Sequence, residues 1–470
     1  MSDVLLISPP MASKGSNIYS PREPLGLYYL AGVLKANGIS VSIIDFTMEL
    51  LSRSILRQHI TRLQPKIVGM TCYTQNFSIA REILNDIKNI NPKIVTVLGG
   101  AHASELTKQV LESTPSIDFV VIGEGEMSFL DLCSNILNSG MANKINGIAF
   151  REDEKVIANP RRDLIKNLDD LPFPDRDLLP QEKYNLSLVQ TSRGCPFGCI
   201  FCNVSASSGR QMRLRSPKKV ADECSILVNH YKHTDLYFFG DTFSVNHNWT
   251  EEFCEDVMLR GLKFRWVCET RVDNVTLQLL RKMRQAGCWR IQYGIEYGDE
   301  NVLRTLGKNT TPDNAINAVN WAHEAGMVVD GLFMFNVPGE DEQTIHKTLN
   351  LIQNLRLDGI EVTLLTPYPG TTLWNDMQRF GMRLTNYNFD NYTTKKYVME
   401  NINFPRERFV PEFLKILSYL KVYDIYTPEY PPKVYDIRNF LELDESKSQE
   451  KSKLGKTLNR IRHWDPLGNY

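Results

Sequence analysis

Along the first 135 or so residues, short apolar runs alternate with segments whose apolar positions recur every three or four residues. The runs "VLLIS", "VSIIDF", "KIVGMTC", "KIVTVLGG" and "DFVVIGEGE" read as strands. The segments between them, "EPLGLYYLAGVLKANG", "RSILRQHITRLQ", "IAREILNDIKNI" and "ELTKQVLEST", read as helices. Strand and helix in alternation predict parallel pairing through right-handed crossovers. The expected fold is α/β: a doubly wound, Rossmann-like domain of about five strands, with ligands at the strand carboxyl ends.

A predicted small hairpin, "NGIAFREDEKVIANP", and a Pro- and Asp-rich stretch, "LDDLPFPDRDLLP", lead to a second alternation. Its strands are "LVQTS", "LYFFGD", "FRWVCE", "RIQYGIE", "VDGLFMFNVPG" and "IEVTLLTPYPG"; helices such as "VTLQLLRKMRQAG" and "EQTIHKTLNLIQNL" separate them. Six strand–helix units predict a partial (β/α)6 barrel working at its strand carboxyl ends. The expected divisions are a domain over 1–137, a connector over 138–185, the barrel over 186–385 and a mostly helical extension over 386–470. That extension holds an amphipathic helix, "RFVPEFLKILSYLKVYDIY", and a polar tail, "ELDESKSQEKSKLGKTLNRIRHW".

Composition narrows the field. The chain is 42% hydrophobic and 23% charged, ordinary for a globular protein, and its net charge of −1 gives no ground for a nucleic-acid partner. No apolar run approaches ~18 residues and no leader pattern opens the chain. A cytoplasmic protein without a transmembrane segment is expected, with peripheral contact to a membrane left open. Nine cysteines in such a chain are thiols or metal ligands rather than disulfides.

Three segments at predicted strand ends gather candidate residues: "GMTCYTQN", "LGGAHAS" and "IGEGE". Gly99, Gly100, Gly123 and Gly125 would let the backbone pass close to a bulky ligand, or would simply permit tight turns. No G-x-G-x-x-G follows the first strand and no G-x-x-x-x-G-K-[ST] occurs, so dinucleotide and nucleoside-triphosphate readings are weak.

"CPFGCIFC" sets Cys195, Cys199 and Cys202 immediately after the first strand of the second series. A closed zinc site would need a fourth ligand, and the nearest downstream histidines, His230 and His233, fall at a predicted helix end. A cubane held by three thiolates keeps one iron open for a substrate or cofactor. With "YGIEYG", "FNVPGE" and "TPYPGTTL" at later strand ends, this C-x-x-x-C-x-x-C spacing resembles the radical S-adenosylmethionine superfamily. The resemblance implies a [4Fe-4S] cluster on Cys195, Cys199 and Cys202, and S-adenosylmethionine chelated at the open iron. It further implies an adenine contact at Phe201 and a methionine amino-group contact near Gly240 and Asp241, where related proteins commonly show two adjacent acids. Glu296 would bind ribose or the amino group, and Arg271 the carboxylate. Alternatively Glu296 and Arg271 form an interior ion pair filling the barrel.

The first domain resembles the cobalamin-binding subfamily of these enzymes in "PREPLGLYYLAGVLKANGISVSIIDF", "VLGGAHAS" and "DFVVIGEGEMSF". No D-x-H-x-x-G loop is present, so the resemblance implies cobalamin without a protein imidazole below the cobalt. Its lower face would lie near Tyr73 and Thr74, with Gly99, Gly100, Gly123 and Glu124 around the cofactor and His102 at its nucleotide tail. Methylthiotransferases carry further N-terminal cysteines, whereas this domain has only Cys72 and Cys133; Cys224, Cys254, Cys268 and Cys288 read mostly as core thiols. The implied function is methyl transfer to an unreactive carbon or phosphorus, with a small-molecule, lipid or peptide substrate and an external electron donor such as flavodoxin or ferredoxin. A cyclisation, rearrangement or carbon–carbon coupling enzyme with the same cofactors is the rival reading, and a non-catalytic cobalamin or cluster sensor the third. The methyl-transfer reading expects the Gly99–Gly100 turn and the cysteine loop to face one cavity, the alternative being two independent domains on a flexible linker.

Overall fold

A computed structural model describes residues 2–10, 23–140, 142–153, 155–184, 186–240 and 242–422. The loop over 11–22, Asp241 and the polar tail lie outside the described residues. Five parallel strands form the first sheet: β1 (Val4–Ser8), β2 (Val41–Asp45), β3 (Ile67–Thr71), β4 (Val95–Gly99) and β5 (Phe119–Val121), in the order β2-β1-β3-β4-β5. Both faces of β1 are buried, as a central parallel strand requires. Val4 and Leu6 pack under the helices Leu25–Ala36 and Gly125–Leu137, through Leu27, Tyr28, Phe129 and Leu132. Leu5 and Ile7 point the other way, to Leu56, Ile83 and Leu84 of the helices Arg53–Leu63 and Phe77–Ile90. The predicted hairpin forms as β6 (Ile148–Glu152) and β7 (Lys155–Ala158). It pairs antiparallel with β5, so the first sheet continues past residue 137.

The second sheet is wholly parallel and in chain order: β8 (Ser187–Gln190), β9 (Asp235–Phe239), β10 (Arg265–Arg271), β11 (Cys288–Glu296), β12 (Val328–Phe335) and β13 (Gly359–Leu364). Alternate residues Phe238, Trp266, Cys268, Ile291, Tyr293 and Val329 face the surrounding helices and make the core. Those helices start where the sequence supplies caps: Ser216, Asn246, Thr276, Thr311 and Asp341 each accept a first-turn backbone N–H. Beyond the barrel, an antiparallel ribbon (Met382–Leu384 with Met399–Asn401) precedes the expected helix, Arg406–Val422.

The two sheets are locked together by buried polar groups. Arg176, in the linker, donates to Glu23 at 3.1 Å, to Glu223 at 2.8 Å and to the Leu188 carbonyl at 2.6 Å. Arg215 holds the other oxygen of Glu223 at 2.5 Å, Tyr184 donates to Asp45, and Gln181 donates to the Tyr28 hydroxyl. All four members of the Arg176 cluster are nearly inaccessible to water.

Candidate active site between the two sheets

The cysteine loop leaves the carboxyl end of β8 and is clasped from three sides. Cys195 N–H donates to the Gly209 carbonyl at 3.2 Å, Ile200 N–H to Leu306 at 3.0 Å, and Ile200 C=O accepts from Leu373 at 2.9 Å. Gly307 lies so close that a Cβ there would stand 2.5 Å from the Gly198 carbonyl. The three thiols are half-buried. Burial pushes the Cys199 thiol up while the Lys308 ammonium pulls the other way.

Beside Cys199 sits a charged group. Glu296, at the end of β11 with a left-handed φ of 68°, accepts from Lys308 Nζ at 2.7 Å. A side chain at Gly294 would collide with both partners, at 2.7 and 2.8 Å. Arg271 forks onto Asp273 with two bonds of 2.8 Å and lies 3.8 Å over the ring of Phe197, inside the cysteine loop. The interior ion pair expected between Glu296 and Arg271 is thus divided. Each has its own partner, and Arg271 Nη1 is buried with no hydrogen-bond partner. Sequence reasoning missed Lys308, because only the fold brings the turn after the helix Glu300–Thr305 back across the end of β11.

Other candidates have structural contacts of their own. A Cβ at Gly240 would strike Thr191 Oγ1 at 2.6 Å, so this glycine serves close packing; its neighbour Asp241 is among the residues not described. Phe201 packs half-buried on the barrel core. "VPGE" contributes Glu340, which burial pushes up to about 8 and which accepts from Tyr297 of "YGIEYG" at 3.1 Å, tying two strand ends together.

On the first sheet, Gly100 has φ 93° and no room for a Cβ, which would lie 2.5 Å from the Cys72 carbonyl; at Gly99 a Cβ would meet nothing nearer than 3.8 Å. Gly123, φ 80°, borders open space. Tyr73 is 59% exposed on this edge, whereas Thr74 is buried with its hydroxyl 3.3 Å from His102 Nδ1. His102, expected at the nucleotide tail, keeps a buried Nε2 with no hydrogen-bond partner. It is buried between Phe77 and Phe389, at 4.5 and 4.9 Å, and desolvation lowers it to about 4, so it is neutral. Glu124 is likewise engaged: it accepts from Ile165 N–H at 2.8 Å and pairs with Arg213 and Arg193 of the barrel. Although burial opposes it, these partners hold its carboxyl below the usual range. Glu126 adds a 2.5 Å bond to Arg193, two residues before Cys195.

These contacts turn the carboxyl edges of the two sheets towards each other. The turn Thr74–Asn76 packs on the turn Phe389–Asn391, and Gly370 after β13 sits against Glu105 after β4. Among the described residues, no three Cys, His, Asp or Glu side chains converge on a single ion. A cubane asks for no such convergence, because its thiolates bind separate irons, so three thiols on one clasped loop suit it. The orphaned Arg271 Nη1 beside that loop suits an anionic group, and the open space at Gly123 suits a bulky one.

Comparison with known proteins agrees. Residues 15–132 match the B12 binding domain and residues 189–352 the radical SAM superfamily. An uncharacterized methyltransferase of Pyrococcus horikoshii is 34% identical over 411 residues, covering 86% of this chain and 89% of the relative. The chain belongs to the cobalamin-binding radical S-adenosylmethionine enzymes. An anaerobic magnesium-protoporphyrin IX monomethyl ester cyclase of Rubrivivax gelatinosus is 33% identical over 414 residues, covering 84% of this radical enzyme and 73% of the relative. In fold, the cobalamin-binding radical enzyme resembles the methyltransferase TsrM of Kitasatospora setae, with a TM-score of 0.71 at 18% identity over 83% of this chain and 81% of the other. The family's cofactors are cobalamin, a [4Fe-4S] cluster and S-adenosylmethionine. Among the described residues no helix is long and apolar enough to cross a membrane.

Proposed function

We propose that this enzyme transfers a methyl group to an unactivated carbon or phosphorus centre. The supporting observation is the clasp of Glu124 and Glu126 on Arg193 and Arg213, which holds the cobalamin-domain edge against the cysteine loop. Methyl transfer needs both cofactors and the substrate in one chamber, with reacting atoms placed to within a few ångströms. When bound, S-adenosylmethionine at the cluster supplies a 5′-deoxyadenosyl radical and cobalamin supplies the methyl group. Cys195, Cys199 and Cys202 would hold the cluster, and Phe201 would border the adenine. Arg271 Nη1 would take the carboxylate, and the Glu296–Lys308 pair would orient the amino group or ribose. The edge from Tyr73 to Gly100 and Gly123 would carry the corrin. Reduction would come from an external donor such as flavodoxin or ferredoxin.

Lys308→Met tests the orienting pair. It strips Glu296 of the ammonium it pairs with in a largely buried site, and S-adenosylmethionine should bind about 10–100-fold more weakly by equilibrium dialysis, with the cluster spectrum unchanged. Unaltered affinity would remove the pair from the site.

A cyclase reading is favoured by the 33% identity to the Rubrivivax enzyme. Anaerobic turnover with S-adenosylmethionine bearing a deuterated methyl group separates the two. Methylation gives S-adenosylhomocysteine, 5′-deoxyadenosine and a labelled product. Cyclisation gives 5′-deoxyadenosine without the other two, and a sensor gives none of them.

A further inference from the structure

The inner wall of the barrel carries a row of polar residues that the cofactor sites do not use. Glu269 of β10 lies opposite Gln292 of β11, and Gln292 opposite Asp330 of β12. Arg290 forks onto Asp330 with two bonds of 2.7 Å, and Gln292 Nε2 donates to the same carboxylate at 3.0 Å. This fixes the amide, so that its oxygen faces the Tyr237 hydroxyl at 3.1 Å; that hydroxyl also contacts Glu269. Arg290 and Arg271 are both occupied by aspartates, and among the described residues no Lys, Arg or His pairs with Glu269.

Glu269 is nevertheless exposed, although it lies on a central strand of the sheet. Its neighbours in sequence, Cys268 and Thr270, are buried on the opposite face, so the carboxylate projects into the barrel interior. Arg271 is two positions further along the strand, which sets Glu269 about 6–7 Å from the cysteine-loop contact. On the next strand Phe239 also faces inward and is 47% exposed. An accessible carboxylate without a cation and an accessible ring therefore share one wall, directly below the cofactor end.

We propose that Glu269 and Phe239 anchor the substrate, selecting a molecule whose apolar or aromatic body carries an amine or similar N–H donor. An ammonium or N–H group would gain a charge-assisted bond from Glu269 and lie against the face of Phe239. A carboxylate or phosphate at that point would meet an uncompensated negative charge and is turned away. The inference rests on reading the barrel interior as the reaction chamber.

Benzylamine and benzoate, which share a ring and differ in charge, test this by saturation-transfer NMR on the full, anaerobically reconstituted chain. Benzylamine should bind in preference to benzoate. Glu269→Gln should weaken benzylamine about tenfold and erase the preference, and Glu269→Lys should reverse it. Phe239→Ala, which leaves the charges in place, should weaken both probes while keeping the preference for the amine. Equal or stronger binding of benzoate to the parent, no binding of either probe, or benzylamine binding indifferent to Glu269→Gln would each overturn the assignment. None of these outcomes bears on the product set that separates methylation from cyclisation, so the two readings can fail independently.

Discussion

Protein in which Cys195, Cys199 and Cys202 are all alanine should, after anaerobic reconstitution, show no iron–sulfur absorption, against about four irons and four sulfides per parent chain. Cleavage of S-adenosylmethionine should fall to background with it. The fold should persist, because the loop is held by backbone bonds from Leu306, Leu373 and Gly209 that involve no sulfur. The six remaining cysteines are buried, with Cys254, Cys268 and Cys288 together in the barrel core, and none lies on the cysteine loop. A cluster surviving in the triple variant would end the assignment of the site.

The largest stability effect is expected at Arg176. Its guanidinium sits between Glu23 and Glu223, and Arg176→Met would leave the first carboxylate with no cation and the second with Arg215 alone. Breaking a buried ion network from one side costs about 3–5 kcal/mol, because the stranded charge keeps its desolvation penalty. Chemical denaturation of the metal-free chain should show a loss of that size. The double change Arg176→Met with Glu23→Gln should recover part of it, since Glu223 keeps Arg215 and no carboxylate is left without a cation. A single variant as stable as the parent would show that water reaches the cluster.

Much of this architecture was legible because its strands are apolar for reasons that the sequence states openly. "VLLIS" is buried on both faces of a parallel sheet, and in "RWVCETR" Trp266, Cys268 and Thr270 are buried on one face while Glu269 is exposed on the other. The cysteine spacing was legible because one loop carries all of it. Lys308 was not, since it reaches Glu296 only through the return of a turn that no local pattern marks. The position of His102 after β4 suggests a ligand contact, but nothing local marks the rings that bury it, which come from Phe77 and from Phe389, nearly three hundred residues away in sequence. Glu124 similarly lies in a glycine-rich turn that suggests a ligand, and its arginine partners stand on the short antiparallel pair Ser192–Arg193 and Arg213–Leu214 that flanks the cysteine loop. Pairing across the domain boundary is where single-sequence reading loses its grip.

That same pairing limits how such enzymes can be recombined. A chimera joining this first domain to a foreign barrel would bring Glu124 and Glu126 to a joint lacking Arg193 and Arg213. Two carboxylates would then be entombed at the seam, each costing several kcal/mol. The domains are therefore not interchangeable cassettes. Grafts that carry the two glutamates and the two arginines as one set should assemble, and those that split the set should come apart at the seam.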